Sequence, residues 1–170
     1  MRADAQENHE RVLEVAARAF ERDGTGASLK AIAREAGVGI GTVYRRFPTR
    51  EALVEAVYRQ EVDQLCAAAD ELTLRAWMER FIDFMATKRG LGETLRAALT
   101  SEEDRQDTRD RLRAAIATLL TSDDSVRPGV DANDLLMSLG GITLIAAEEH
   151  QRDLASRLLD LLTHGLRRQL

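Results

Sequence analysis

Apolar residues return along this chain every three or four positions, with polar residues filling the opposite phase. Val12, Leu13, Ala16, Ala17 and Phe20 form one such stripe, which predicts a helix over residues 6–23 closed by Gly24 and Gly26. Leu29, Ile32, Ala33 and Ala36 predict a second, short helix. Val43 and Phe47 lie four apart and mark the inward face of a third over residues 40–47. A fourth is expected from Thr49 to about residue 72, on Leu53, Val54, Val57, Tyr58, Val62, Leu65 and Cys66. Further helices are expected over residues 74–89, 93–99, 102–121, 131–149 and 151–169. Runs with a period of two are absent, so no sheet is expected and the fold class is all-α, with about nine helices.

The segment 28–50 departs from this uniform pattern. Ser28 is placed to cap the second helix, because its hydroxyl can accept from backbone N–H groups one turn on. Gly37 ends that helix, since glycine tolerates the left-handed backbone that a C-terminal cap needs. Val38 plugs the turn into the core, Gly39 caps the third helix and Pro48 closes it. Two short helices across a glycine turn make a helix-turn-helix. The small core expected around it is Leu13, Ala16, Phe20, Leu29, Ile32, Val38, Val43, Phe47 and Leu53.

Charge sharpens the picture. Lys30, Arg34, Arg45, Arg46 and Arg50 face only Glu35 in this segment, a local +4 inside a chain of net charge -5. A basic patch on an acidic chain points to a polyanion. Ile40, Gly41, Thr42, Tyr44, Arg45 and Arg46 fall on the outer faces of the third helix. Arg45 can place two donors on a guanine edge, while Arg46, Arg50, Thr42 and Tyr44 can bind phosphate. Ile40 or Thr42 can touch a thymine methyl, and Gly41 lets the backbone come close to the sugar-phosphate chain. The competing reading is a solvated basic helix on an ordinary bundle, but the turn chemistry and the exposed tyrosine favour DNA.

The stretch GVGIGTVYRRFPTREALVEAVY resembles the signature of TetR-type transcriptional regulators, and NHERVLEVAARAFERDGTGASLKAIAREA resembles that family's first helix and the start of its second. The likeness covers about residues 8–60. It implies a three-helix DNA-binding domain, assigned to residues 1–48, and a helical effector-binding and dimerisation domain, assigned to residues 49–170. It implies that Thr42 and Tyr44 contact DNA, that Arg45 occupies the variable base-reading position, and that Ser28, Lys30, Gly39, Ile40, Gly41, Arg46 and Arg50 complete the surface. Arg46 stands where the family often has histidine and Arg50 where it usually has lysine. Gly39 stands where many members have serine, which weakens the helix start by only about a few tenths of a kcal/mol. The implied function is a homodimeric repressor on an inverted-repeat operator in double-stranded DNA, released by a small apolar effector. A fourth helix continuous across the domain boundary would transmit displacement between the domains.

The remaining stripes supply candidates for those roles. Trp77, Phe81 and Phe84 put three of the seven aromatics within eight residues. A core stripe accounts for most of them, yet aromatics beside flexible methionine also suit an apolar ligand cavity. Helical phase gives Trp77, Phe81, Met85, Leu112, Ile116 and Met137 as pocket candidates. Family members are commonly somewhat longer and the joint at residues 67–74 is short, which implies a tight or vestigial cavity. Leu139, Gly140, Ile142, Leu154, Leu158, Leu161 and Leu162 are the candidate dimer interface, because the last two helices are apolar over wide arcs. Gly140 and Gly141 inside a helix cost about 1 kcal/mol each relative to alanine, which suggests a kink or a close backbone approach.

Composition narrows the alternatives. The chain is 44% hydrophobic and 31% charged, an ordinary globular balance. Residues 1–60 carry net +1 and residues 61–170 net -6, so the acidic part is repelled by DNA. No run approaches a membrane span, no secretory signal is visible, and the single Cys66 fits a cytoplasmic protein without disulfides. His9, His150 and His164 are scattered, and neither a metal set, a phosphate loop nor a nucleophilic triad is present. No cofactor is expected. The remaining alternatives are a nucleoid-type DNA-binding protein without an effector, and a helical binding protein or enzyme.

Overall fold

The structure, a computed structural model, describes residues 2–98, 101–145 and 152–168. Among the described residues it is built from nine α-helices: α1 Arg2–Asp23, α2 Leu29–Glu35, α3 Ile40–Arg46, α4 Arg50–Ala67, α5 Leu74–Gly90, α6 Gly92–Ala98, α7 Glu102–Ser122, α8 Ala132–Ile145 and α9 Arg152–Leu166. Short 3-10 turns follow α1 at Gly24–Gly26 and α4 at Ala68–Asp70. The all-α expectation holds.

Several boundaries moved. The backbone of residues 2–5 is already helical, ahead of the start expected at residue 6. α4 tightens into a 3-10 turn after Ala67 instead of continuing to residue 72. α9 ends at Leu166 because the next residues bind a loop. Arg168 N–H donates to the Ser125 carbonyl at 2.9 Å, Arg127 N–H donates to the Leu166 carbonyl at 2.8 Å, and Val126 and Arg167 form an isolated antiparallel bridge. Orphaned carbonyls at a helix end take donors wherever they are offered. The expected end of the eighth helix at residues 146–149, and His150 after it, lie outside the described residues.

The chain divides into two compact units, Met1–Glu61 with Thr87–Glu102, and Val62–Ala86 with Glu103–Leu170. In the first, Leu13, Ala16, Phe20, Ile32, Ala33, Val43, Phe47 and Leu53 are buried, while Leu29 and Val38 are half-buried. The last turn of α5 is part of this unit. Thr87 Oγ1 donates to Glu21 Oε1 at 2.9 Å, and the Lys88 ammonium lies 5.4 Å from the Tyr58 ring centroid. The close approach is backbone to backbone: a β-carbon on Gly90 would stand 3.5 Å from the Phe20 carbonyl.

In the second unit the core gathers Leu65, Leu74, Trp77, Met78, Phe81, Leu112, Ile116, Leu119, Leu135, Leu139 and Leu159. Trp77 and Phe81 stack at 5.8 Å, and Phe81 meets Phe84 at 6.2 Å in a tilted pair. Arg75 links α5 to α9, donating to Asp160 Oδ1 at 2.9 Å and to Glu79 Oε1 at 2.6 Å. Among the described residues no helix is long and apolar enough to cross a membrane.

Candidate nucleic-acid interface

The helix-turn-helix is held by local chemistry that the sequence specifies. Ser28 Oγ accepts from Ala31 N–H at 3.4 Å, capping α2. Gly37 takes φ +67, the left-handed conformation a side chain would oppose, and Val38 N–H then reaches back to the Ala33 carbonyl at 3.0 Å. Gly39 caps α3 through its backbone only, accepting from Thr42 N–H at 2.9 Å and Val43 N–H at 3.3 Å. Thr49 Oγ1 accepts from Ala52 N–H at 3.1 Å at the start of α4. From α1, Arg11 Nε donates to the Ala36 carbonyl at 2.8 Å and ties α1 to the C-terminal end of α2.

Burial fixes which face of α3 is offered. Val43 and Phe47 point into the unit and are buried. Gly41, Thr42, Arg45 and Arg46 are exposed, Ile40 is 38% exposed and Tyr44 51%. Lys30 and Ser28 are exposed on the neighbouring helix, and Arg50 is half-buried at the start of α4. A β-carbon on Gly41 would meet nothing within 4 Å, so that side of the helix is open to close approach. The ten residues singled out in the sequence thus fall within one unit, on α2, α3, the turn between them and the start of α4. This surface combines basic, hydroxyl-bearing and apolar side chains, the types that contacts to phosphate and to base edges use.

One member was missed. His9, on α1, stacks on Phe47 with ring centroids 5.4 Å apart, and its Nδ1 accepts from Arg46 Nε at 3.2 Å. Burial and the Arg46 charge both lower its basicity, against a smaller opposing effect of Glu10. Nothing in the sequence relates residues 37 positions apart, so only the packing of α1 on α3 could show it.

The effector candidates differ in their exposure. Trp77, Phe81, Leu112 and Ile116 are packed core, Met85 is half-buried and Met137 is 67% exposed on α8. Met137 was assigned by helical phase alone, which cannot tell the two apolar faces of α8 apart. A concavity of about 190 Å³ lies elsewhere in this unit, lined by Glu79, Ile82, Arg152, Asp153, Ser156 and Leu159 among others, and its rim is charged. Cys66 is half-buried, and burial pushes its thiol up despite nearby Arg111.

The interface candidates divide. Leu139 is fully buried within the chain and belongs to its core. Gly140, Ile142, Leu154, Leu158 and Leu162 are half-buried, and Leu161 is 69% exposed. Leu144 at 76% and Ile145 at 40% join it, unforeseen from sequence. Among the described residues no atom lies within 4 Å of a β-carbon built on Gly140 or Gly141.

Comparison with known proteins agrees with this geometry. Residues 12–57 match the model of bacterial regulatory proteins of the tetR family, and residues 68–168 match that of the SbtR-like transcriptional regulator C-terminal domain. The crystal structure of the TetR transcriptional regulator SCO0520 from Streptomyces coelicolor is 41% identical, with 95% of this chain and 99% of that one covered and a TM-score of 0.80. A TetR regulatory protein from Mycobacterium vanbaalenii is 31% identical, with 98% and 99% covered and a TM-score of 0.69. An HTH-type transcriptional regulator of Staphylococcus aureus is 39% identical over 64 residues, 37% of this chain, so the match spans about a third (35%) of the length of that curated relative. These relatives are transcriptional regulators and not enzymes. With its helix-turn-helix, its helical second unit and these matches over most of its length, the chain belongs to the TetR family of DNA-binding transcriptional regulators.

Proposed function

We propose that the chain works as a homodimeric repressor that binds a palindromic operator through α3 and leaves it when a small molecule binds the second unit. One observation carries the DNA and dimer parts. Among the described residues the exposed large hydrophobics fall into two sets, Ile40 and Tyr44 on α3, and Met137, Leu144, Ile145 and Leu161 on α8 and α9. Apolar groups left in water at two separate places mark surfaces that another molecule covers. The first set sits among Arg45, Arg46 and Lys30 and suits DNA. The second lies on α8 and α9 and suits a second copy, the open backbone of Gly140 and Gly141 admitting a partner helix closely.

In this reading Arg45 reads a base, and Lys30, Thr42, Tyr44, Arg46 and Arg50 hold phosphates. In a dimer formed through α8 and α9, two copies of α3 would enter successive major grooves, ~34–36 Å apart. The effector shifts the population toward a form with unsuitable spacing, and does so only by binding that form more tightly. α4, unbroken from Arg50 to Ala67, is the element common to both functions.

The packed state of Trp77, Phe81, Leu112 and Ile116 favours a second reading, a DNA-binding dimer without a small-molecule effector. Selection of DNA from a genomic pool by the purified protein at two salt concentrations is the first test. Enrichment of an inverted repeat supports the dimeric regulator, and that fragment then serves as probe in a screen for small molecules that release it. Salt-sensitive binding without enrichment refutes the operator reading.

A further inference from the structure

Arg46 of α3 has its side chain drawn back onto α1. Its Nε–H donates to Nδ1 of His9 at 3.2 Å. A guanidinium has only donors, so Nδ1 presents its lone pair and the ring's single proton sits on Nε2. The stack of His9 on Phe47, at 5.4 Å and 21° between planes, holds the ring in this orientation. Phe47 is itself buried as an anchor of α3, so the ring is referenced to the recognition helix as well as to α1.

We propose that His9 is a positioning residue for Arg46. While the ring is neutral it tethers the guanidinium to α1, and a proton on Nδ1 breaks the tether and frees Arg46 for a DNA phosphate. The proposal rests on the reading of α3 as the recognition helix.

The proton does two things. It removes the ring lone pair that Arg46 binds, and it sets a second positive charge beside the first. In the free protein the groups facing the ring oppose that charge. Burial and Arg46 disfavour it, Glu10 on α1 favours it, and the balance leaves the ring less basic than an ordinary histidine. Arg11, two residues on, has its guanidinium engaged by Asn8 Oδ1 and the Ala36 carbonyl. DNA reverses the balance, because a phosphate neutralises Arg46 and attracts an imidazolium next to it. Binding then takes up a proton at each His9, and affinity rises as pH falls through the range where histidine titrates. The neutral ring acts in the other sense: it competes with phosphate for the same guanidinium.

The test has an arm without DNA and an arm with it. In the free full-length protein, NMR titration of the His9 ring is compared between the parent and Arg46→Ala. The ring is expected to become more basic in the variant, and an unchanged titration overturns the contact. In the second arm, binding to the selected DNA fragment is measured between about pH 7.5 and about pH 5.5 at fixed salt. The parent is expected to tighten by roughly threefold to tenfold as pH falls. His9→Gln keeps an acceptor for Arg46 and cannot titrate, so its affinity stays flat at the parent's high-pH level. His9→Ala releases Arg46 at every pH, so its affinity stays flat and no weaker than that. A parent-like pH profile in His9→Gln overturns the proposal and leaves the recognition helix standing. Failure of the parent to select any DNA at either pH overturns the recognition-helix reading, and this proposal with it.

Discussion

The indole N–H of Trp77 donates to the main-chain carbonyl of Leu65 at 2.8 Å, inside the second unit. Leu65 lies in the last turn of α4, where carbonyls begin to lack helical partners, and the indole takes the place of a capping donor. The tryptophan is therefore a fixed part of the core, with both its area and its one polar group committed. Trp77→Phe leaves that carbonyl without a donor in a buried site, at an expected cost of ~1–3 kcal/mol. Trp77→Ala adds a cavity and is expected to cost ~3–5 kcal/mol. Urea unfolding followed by circular dichroism measures both, and a neutral Trp77→Phe refutes the capping role.

Gln60 on α4 presents the opposite case. Its Oε1 is buried and has no hydrogen-bond partner. A buried acceptor without a donor keeps its desolvation cost uncompensated. Gln60→Met, similar in shape and without the amide, is expected to stabilise by about 1 kcal/mol, read as a rise in the thermal midpoint. A fall in the midpoint assigns that oxygen a partner in solution.

Arg45 and Arg50 separate base reading from phosphate binding. Arg45→Ala is expected to cost ~1–3 kcal/mol on the preferred fragment and to relax preference at one position of each half-site. Arg50→Ala is expected to weaken all sequences alike and lower the salt slope by about one. Titrations on matched and mismatched fragments at several salt concentrations distinguish the two, and parent-like behaviour of both variants removes α3 from the interface.

A charge on the apolar face of α8 and α9 addresses assembly. Leu144 and Leu161 are 76% and 69% exposed in the single chain, so a carboxylate there causes no strain within it. Leu144→Glu with Leu161→Glu is expected to give a folded monomer with an unchanged helical spectrum and much weaker operator binding. Analytical ultracentrifugation decides; a dimer that survives both changes uses another face.

The loop after α7 carries an acid-sensitive contact. Asp123 Oδ1 accepts from the Ser125 hydroxyl at 2.6 Å and from its N–H at 2.9 Å. The hydroxyl first and the backbone N–H second hold this carboxyl below the ordinary carboxylate range. A depressed pKa means that the contribution is present above the unfolded-state value and is lost as pH falls through the folded one. Ser125→Ala is therefore expected to shrink the stability lost in acid, seen as thermal midpoints of parent and variant that converge toward pH 2–3. Parallel curves rule the contact out.

The amino-acid order determined what depends on near neighbours. Helix periods, the Ser28 and Thr49 caps, the left-handed Gly37 and the outward side of α3 all follow from spacing of four residues or fewer. For this reason the residues on the exposed side of α3 could be named in advance. The remainder depends on which of two apolar faces of a helix turns inward. Met137 and Leu139 lie two apart on α8, one exposed and the other fully buried, and periodicity treats them alike because both stripes are apolar. The same ambiguity left Trp77 and Phe81 readable either as core or as cavity lining, and the structure buries both. The meeting of His9 with Arg46 and Phe47, and the hold of the residue 123–129 loop on the end of α9, join positions 37 or more apart. Only packing brings such groups within hydrogen-bond range, and so the tertiary structure alone decided them.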